Sequence, residues 1–248
     1  MSTAPLFLVD ELPAGAQAVL DGPEGRHAAT VKRIRAGERV LLADGRGGLA
    51  DAVVDAAERD TVTLTISRRR TLAPPAPRVL LAQALVKGDR GELAVEMATE
   101  AGVDTILPWR AARCVARWDD GPRGAKALAK WRGTVREAAK QARRPWLPEV
   151  EEPVSTAALA RRVAAVACAL VLHESATTRL ADVRLPTDGE VLLAVGPEGG
   201  VSDAELAELS AAGAVAVRLG PEVLRASTAA AVALGALGVL TRRWNPEG

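Results

Sequence analysis

Glu190-Val-Leu-Leu-Ala-Val-Gly-Pro-Glu-Gly-Gly200 is the stretch on which the reading of this 248-residue chain turns. A short apolar run bounded by glycine reads as a buried strand, here passing through a tight turn into a helix. Ser202-Asp-Ala-Glu205 is a capping box: Ser202 can cap the helix and Glu205 can reach back to it. Gly213 closes that helix. The unit then recurs, with Ala214-Val-Ala-Val-Arg-Leu219 as a second buried strand and Gly220-Pro-Glu-Val-Leu-Arg225 as a second turn. An alanine-rich helix over 227–240 follows. Gly-Pro-Glu leaves both strands.

Working outward, Arg78 to Val86 reads as another buried strand, Asp89 to Gly102 as a helix and Thr105 to Pro108 as a strand. A short helix near Thr156 to Val163 and a strand from Ala165 to Leu172, ending at His173-Glu-Ser175, complete the alternation. Strands alternating with helices predict an α/β fold with a parallel sheet. Before it, 38–44, 49–55 and 61–66 are strand-like, and Asp44-Gly-Arg-Gly-Gly48 fits a hairpin turn. Residues 24–35 read as a short basic helix. Ser67-Arg-Arg-Arg-Thr-Leu-Ala-Pro-Pro-Ala-Pro77 marks the boundary, because its three prolines continue neither sheet nor helix. The expected domains are therefore a β-rich 1–72 and an α/β 78–248.

Composition narrows the function classes. The chain is 48% apolar and 25% charged with a net charge of +1, so no global field points to a nucleic acid or a membrane. Cys114 and Cys168 stand far apart, with no CxxC pair or histidine cluster, which argues against a structural metal site and a disulfide framework and predicts two buried, reduced thiols. The amino terminus has no basic leader and meets Asp10 and Glu11, so no signal peptide is expected. The apolar run from Ala226 to Leu240 is too short to span a bilayer. A cytoplasmic protein is expected. Only five of the 32 basic residues are lysine and tyrosine is absent, a bias that weakens the meaning of any single arginine.

Charge is instead concentrated locally. Trp109 to Trp146 holds eleven basic residues against three acids, and four of the five tryptophans. Basic side chains interleaved with flat aromatics suit a surface that holds a phosphate backbone and stacks unpaired bases. The same tryptophans equally suit the core side of a helix over 123–142 whose arginines face water. Arg26, His27, Lys32, Arg33 and Arg35 likewise form either a solvated face or a phosphate-contacting one.

The two turns carry the chemistry. Residues 196–201 lead from a strand's carboxyl end into a helix amino terminus, where α/β proteins place ligands. Three glycines in five residues let a ligand approach the backbone. The sequence matches neither the phosphate-loop motif nor GxGxxG, and Glu198 and Glu222 argue against a polyphosphate. A neutral or cationic ligand fits better.

Leu193-Ala-Val-Gly-Pro-Glu-Gly-Gly-Val-Ser202 with Leu219-Gly-Pro-Glu-Val-Leu-Arg-Ala-Ser-Thr-Ala229 resembles the signature of the RsmE family, knotted SPOUT-class methyltransferases acting on N3 of a uridine in bacterial small-subunit (16S) ribosomal RNA. Ala43-Asp-Gly-Arg46, Glu100-Ala-Gly-Val103, Arg113-Cys-Val115, Lys130-Trp131, Glu137-Ala-Ala-Lys-Gln141 and Arg144-Pro145 extend the resemblance over most of the chain. It implies a SPOUT-type knotted parallel sheet domain, an amino-terminal PUA-like β-barrel domain and a homodimer. It also implies an S-adenosylmethionine pocket lined by Leu172, His173, Gly196, Pro197, Glu198, Gly199, Gly200, Leu219, Gly220, Leu224 and Arg225. RNA contacts are expected from Arg26, His27, Lys32, Arg33, Lys87, Arg113, Arg143 and Arg144, with no metal. Arg225 is expected to stabilise a uracil anion while Glu198 or a water takes the proton. Where the family commonly carries Thr-Glu-Thr, this chain has Ala226-Ser227-Thr228, so no carboxylate at that place serves as base. Two rival readings are a SPOUT enzyme acting on transfer RNA and a non-catalytic RNA-binding assembly factor.

Overall fold

The structure, a computed structural model, describes residues 4–244; residues 1–3, where the amino-terminal reading begins, and 245–248 lie outside the described residues. Contacts divide the chain into two compact units. One runs to Pro74 and takes in Ala139–Leu147; the other comprises Pro75–Ala138 and the chain from Pro148 onward.

The first unit contains β1 (Leu6–Leu8), β2 (Gln17–Leu20), the short helix α1 (Gly22–Arg26) running into a π-helical turn (His27–Val31), β3 (Arg39–Ala43), β4 (Gly48–Ala57) and β5 (Val62–Thr71). The strands form a curled half-barrel in the order β1-β3-β4-β5-β2. Two-residue alternation builds its core: Val62, Leu64 and Ile66 point inward against Phe7, Val40, Leu42 and Val54, while Thr63, Thr65 and Ser67 face out. The Asp44 carboxylate accepts the N–H groups of Arg46 (2.7 Å) and Gly48 (2.9 Å), which closes the hairpin turn.

Three readings of this region change. The helix expected over 24–35 is cut short, because buried Ile34 has to turn inward and Arg33 takes a left-handed φ of 53° to let it. The arginines taken for a boundary belong to β5, where Arg70 pairs with Asp51 and Arg69 donates to the Pro13 carbonyl (2.7 Å); the strand stops at Thr71, short of the prolines. Finally, Lys140 and Trp146 are structural. Lys140 Nζ meets Glu24 Oε1 at 2.9 Å with both side chains largely buried, and Trp146 Nε1 donates to the Leu72 and Ala73 carbonyls. The Trp146 ring lies so close over Gly47 that an added Cβ there would come within 2.5 Å.

The second unit is α/β. Its elements are β6 (Arg78–Ala84), α2 (Arg90–Glu100), β7 (Thr105–Arg110), α3 (Pro122–Gln141, whose last turn is grouped with the first unit), β8 (Glu149–Val150), β9 (Val154–Ser155) and α4 (Thr156–Val163). They continue with β10 (Cys168–Leu172), β11 (Glu190–Val195), α5 (Asp203–Ala211), β12 (Val215–Val217) and α6 (Ala226–Leu240). The sheet order is β12-β10-β11-β6-β7-β8, with β9 also on β7, and every pairing is parallel. Residues 79–84 of β6 and 191–195 of β11 are buried throughout, as expected of strands covered on both faces. α6 packs on α2, β6 and β11 through Ala230, Ala233, Leu234 and Leu237, whose three- and four-residue spacing forms one stripe; the small side chains let the backbones approach.

The two Gly-Pro-Glu strands are not neighbours, since β10 lies between them. β12 is also less buried than its sequence suggests. Val215, at its start, is exposed while Val217 is buried. Trp109 and Trp131 are fully buried and are core anchors rather than base-stacking platforms, and half-buried Trp118 packs edge-on to Trp131 with ring centroids 4.9 Å apart. Cys114 is buried as expected, whereas Cys168 at the start of β10 is half-exposed. Among the described residues no helix is long and apolar enough to cross a membrane.

The end of the described chain is pinned by a buried ion pair. Arg243 Nη1 lies 2.7 Å from Asp104 Oδ2, each side chain 7% exposed, and the guanidinium also donates to the Pro77 and Gly102 carbonyls. Removing one member strands the other charge in a poorly solvated place. Arg243→Met is therefore expected to lower unfolding stability by about 3–5 kcal/mol, read by urea denaturation at neutral pH.

Candidate functional site

Parallel pairing sends the carboxyl ends of β10, β11 and β12 to one edge of the sheet, and their turns enclose one cavity of about 640 Å³. All eleven residues expected at the cofactor site line it: Leu172 and His173 after β10, 196–200 after β11, and Leu219, Gly220, Leu224 and Arg225 after β12.

The turn after β11 is shaped by its glycines. A Cβ on Gly196 would sit 2.8 Å from Val201 Cγ2, and Gly200, with φ of 74°, donates to the Pro197 carbonyl at 2.8 Å. The chain thereby doubles back tightly, and the whole turn, Pro197 and Glu198 included, lines the cavity. Its outer side is braced: Arg113 Nη1 donates to the Gly199 carbonyl at 3.1 Å. His173 is held through its own N–H, which donates to the Val217 carbonyl (3.0 Å), and its Nδ1 lies 2.9 Å from Ser175 Oγ.

The capping box forms as read. Ser202 Oγ accepts the Glu205 N–H (3.3 Å) and donates to Glu205 Oε2 (2.7 Å), which also accepts the Ser202 N–H at 3.1 Å. Glu205 does more than cap: its other oxygen accepts the Ala112 N–H (2.8 Å) and the Thr156 hydroxyl (2.9 Å). Burial pushes this carboxyl's pKa up, yet the hydrogen bonds from Ser202, Ala112 and Thr156 outweigh it and hold the group below its ordinary value. Burial raises the pKa of the Cys114 thiol, so it is a protonated packing group and not a nucleophile.

Apolar Val86, Leu172, Val195 and Val217 floor the cavity, while Arg90, Arg113, Arg218 and Arg225 share its rim with Glu174, Glu198, Asp203 and Glu222. Glu198 and Arg225 are exposed, and Ser227, in the first turn of α6, is buried at the cavity wall. Such a mixed-sign, backbone-lined pocket accommodates a small ligand carrying both charges. Sequence reasoning missed Arg90, Asp203 and Arg218. Arg90 and Asp203 are each the first residue of a helix that follows a strand, a position that could have signalled both.

The residues expected to meet RNA are distributed differently. Arg113 and Lys87 belong to the second unit, with Arg113 at the cavity and Lys87 exposed after β6. In the first unit, Lys32, Arg33 and Arg143 are exposed, Arg26 pairs with Asp60 (3.2 Å), and Arg144 is half-buried. The half-buried His27 ring packs edge-on to Phe7, with centroids 6.1 Å apart.

A parallel sheet with clustered glycine turns at one edge, joined in one chain to a small half-barrel, is the architecture of SPOUT-type RNA methyltransferases. Comparison with known proteins agrees: an RNA methyltransferase domain family matches residues 74–238, and an RNA methyltransferase PUA domain family matches residues 20–67. The chain is 56% identical over 247 residues to Ribosomal RNA small subunit methyltransferase E of Mycobacterium bovis, covering 98% of this chain and 94% of that one. A Legionella pneumophila protein solved in complex with the cofactor SAM superposes with a TM-score of 0.86 at 30% identity, covering 97% of this chain and 99% of the other. The Neisseria gonorrhoeae Ribosomal RNA small subunit methyltransferase E, solved bound to S-adenosyl methionine, gives 0.83 at 27% identity over 96% and 98% of the two chains. The chain belongs to the ribosomal RNA small subunit methyltransferase E family, the RsmE family.

The depressed Glu205 pKa makes a stability statement. A carboxylate whose folded pKa lies below its unfolded value stabilises the fold above the unfolded value, and the contribution fades as pH falls through the folded one. Glu205→Gln is expected to cost about 2 kcal/mol at pH 7, and the deficit should shrink below about pH 4 when thermal unfolding is followed against pH.

Proposed function

We propose that this protein transfers a methyl group from S-adenosylmethionine to N3 of a uridine in the 16S ribosomal RNA of the small subunit. The observation that carries the reading is the convergence of both Gly-Pro-Glu turns and the end of β10 on one cavity. Its lining fits the cofactor. The turn over 196–200 forms one wall, apolar side chains suit an adenine ring, and Glu174, Glu198 and Glu222 suit a cationic sulfonium better than a polyphosphate. Its volume is that of an ordinary small-molecule pocket. The relatives' names supply the substrate class, small-subunit ribosomal RNA.

Bound there, S-adenosylmethionine supplies an electrophilic methyl group. The chain's own task is the nucleophile. Uracil N3 carries a proton that is barely acidic at neutral pH, and that proton has to leave as the N–CH3 bond forms and the S–CH3 bond breaks. Arg225, the N-cap residue of α6, stands exposed at the cavity and stabilises the negative charge that spreads onto the uracil oxygens. Glu198, or a water beside it, accepts the proton. Ser227 offers a hydroxyl there but no charge. We place RNA capture on Lys32, Arg33, Arg143 and Lys87, which are exposed. We further assign a cytoplasmic location and a homodimeric active form, the latter supported by the exposed Val232, Val239 and Leu240 of α6.

Arg225→Ala should lower kcat, measured at saturating cofactor, by about a hundredfold; a wild-type rate would remove Arg225 from the chemistry. Replacing Lys32 and Arg33 together by alanine should weaken RNA binding and reduce the slope of log K against log salt by about 1–2, with cofactor binding unchanged.

A further inference from the structure

Two loops flank the cavity wall, and one buried carboxylate joins them. Glu205 is 6% exposed and receives four hydrogen bonds from three parts of the second unit. Ser202 brings the end of the glycine turn, Ala112 the loop after β7, and Thr156 the start of α4. A capping box requires only the bonds to Ser202. The bonds from Ala112 and Thr156 are additional, and Thr156 is itself engaged on its far side by the indole N–H of fully buried Trp109 (3.1 Å). Trp109, Thr156 and Glu205 thus form a chain of polar contacts running from the core of the sheet to the cavity wall.

The consequence lies one residue away. Arg113 follows Ala112, and its guanidinium donates to the Gly199 carbonyl in the middle of the glycine turn. Its Cβ would lie 3.1 Å from a Cβ built on Gly199, so the two backbones are already as close as the side chain allows. Glu205 therefore holds the Arg113 loop at one point and the root of the glycine turn at another, while Arg113 closes the bracket between them.

We propose that Glu205 is a positioning residue for cofactor binding, acting through Ala112 and Arg113 to set the geometry of the 196–200 turn. This rests on the reading of the cavity as the S-adenosylmethionine pocket. Glu205 does not line the cavity, so it acts without touching the ligand. Charge matters to the bracket because all four contacts are donated to the carboxylate. The isosteric amide has one accepting oxygen, and its NH2 group faces donors.

The test measures S-adenosylmethionine affinity by calorimetry on the full-length wild-type protein, Glu205→Gln, Arg113→Ala and the double variant, with circular dichroism as the check on folding. Glu205→Gln and Arg113→Ala are each expected to raise Kd by about tenfold or more, with the double variant no worse than about the weaker-binding single one, because both cut the same bracket. A wild-type Kd for folded Glu205→Gln overturns the proposal, as does a double variant whose loss is the product of the two single losses. Should Glu205→Gln fail to fold, Thr156→Val decides, since it removes one donor and leaves the carboxylate in place. Weaker binding by Thr156→Val, of smaller size, supports the proposal and wild-type binding overturns it. A wild-type protein that binds no S-adenosylmethionine would instead contradict the assignment of the cavity itself.

Discussion

Everything at the site depends on the parallel pairing of β11 between β10 and β6. Parallel strands place all their carboxyl ends at one edge of a sheet, so any turn that follows them arrives at the same place. Here the pairing is enforced by burial: residues 191–195 have no polar side chain and are covered on both faces, and slipping the register would break the whole ladder from Cys168↔Val191 to Leu172↔Val195. The β12 pairing to β10 then brings in the second Gly-Pro-Glu turn from the far side. Neither turn is a pocket by itself.

The second layer of the design is local and made of glycine and hydrogen bonds. Close approach at Gly196 and the left-handed Gly200 allow the β11 turn to fold back on itself, and the Glu205 carboxylate, the Arg113 guanidinium and the Ser202 cap hold it there. Rigid positioning of backbone around a small cofactor is cheaper in entropy when the loops are bound to one another before the ligand arrives. In the half-barrel, the same logic of an ordered polar anchor applies to Asp44 and its hairpin turn.

Much of this was legible in the sequence, and the limits are physical. The strands β6, β10 and β11 announced themselves as continuous apolar runs, and the capping box placed the start of α5 at the correct residue. α6 was legible from its alanines. The position of β10 between the two Gly-Pro-Glu strands was not, because strand order is a long-range property that local pattern does not encode. The tryptophans of 109–146 were ambiguous for a related reason: only packing distinguishes an indole against a helix from one awaiting a base, and Trp109 and Trp131 proved to be core. The β1 and β2 strands, three and four residues long, carry too little alternation to be read. Glu205 was visible as a cap, but its bonds to Ala112 and Thr156 join residues 93 and 49 positions apart and leave no local trace.

On the function proposed above, the cavity at the sheet edge presents a methyl donor to a ribosomal uridine. The most direct measurement incubates the protein with methyl-labelled S-adenosylmethionine and small ribosomal subunits lacking the modification, alongside free ribosomal RNA and transfer RNA, and maps the labelled base. Label is expected on N3 of a single uridine in small-subunit ribosomal RNA and none in transfer RNA. Label confined to transfer RNA, or no label in any RNA, would contradict it.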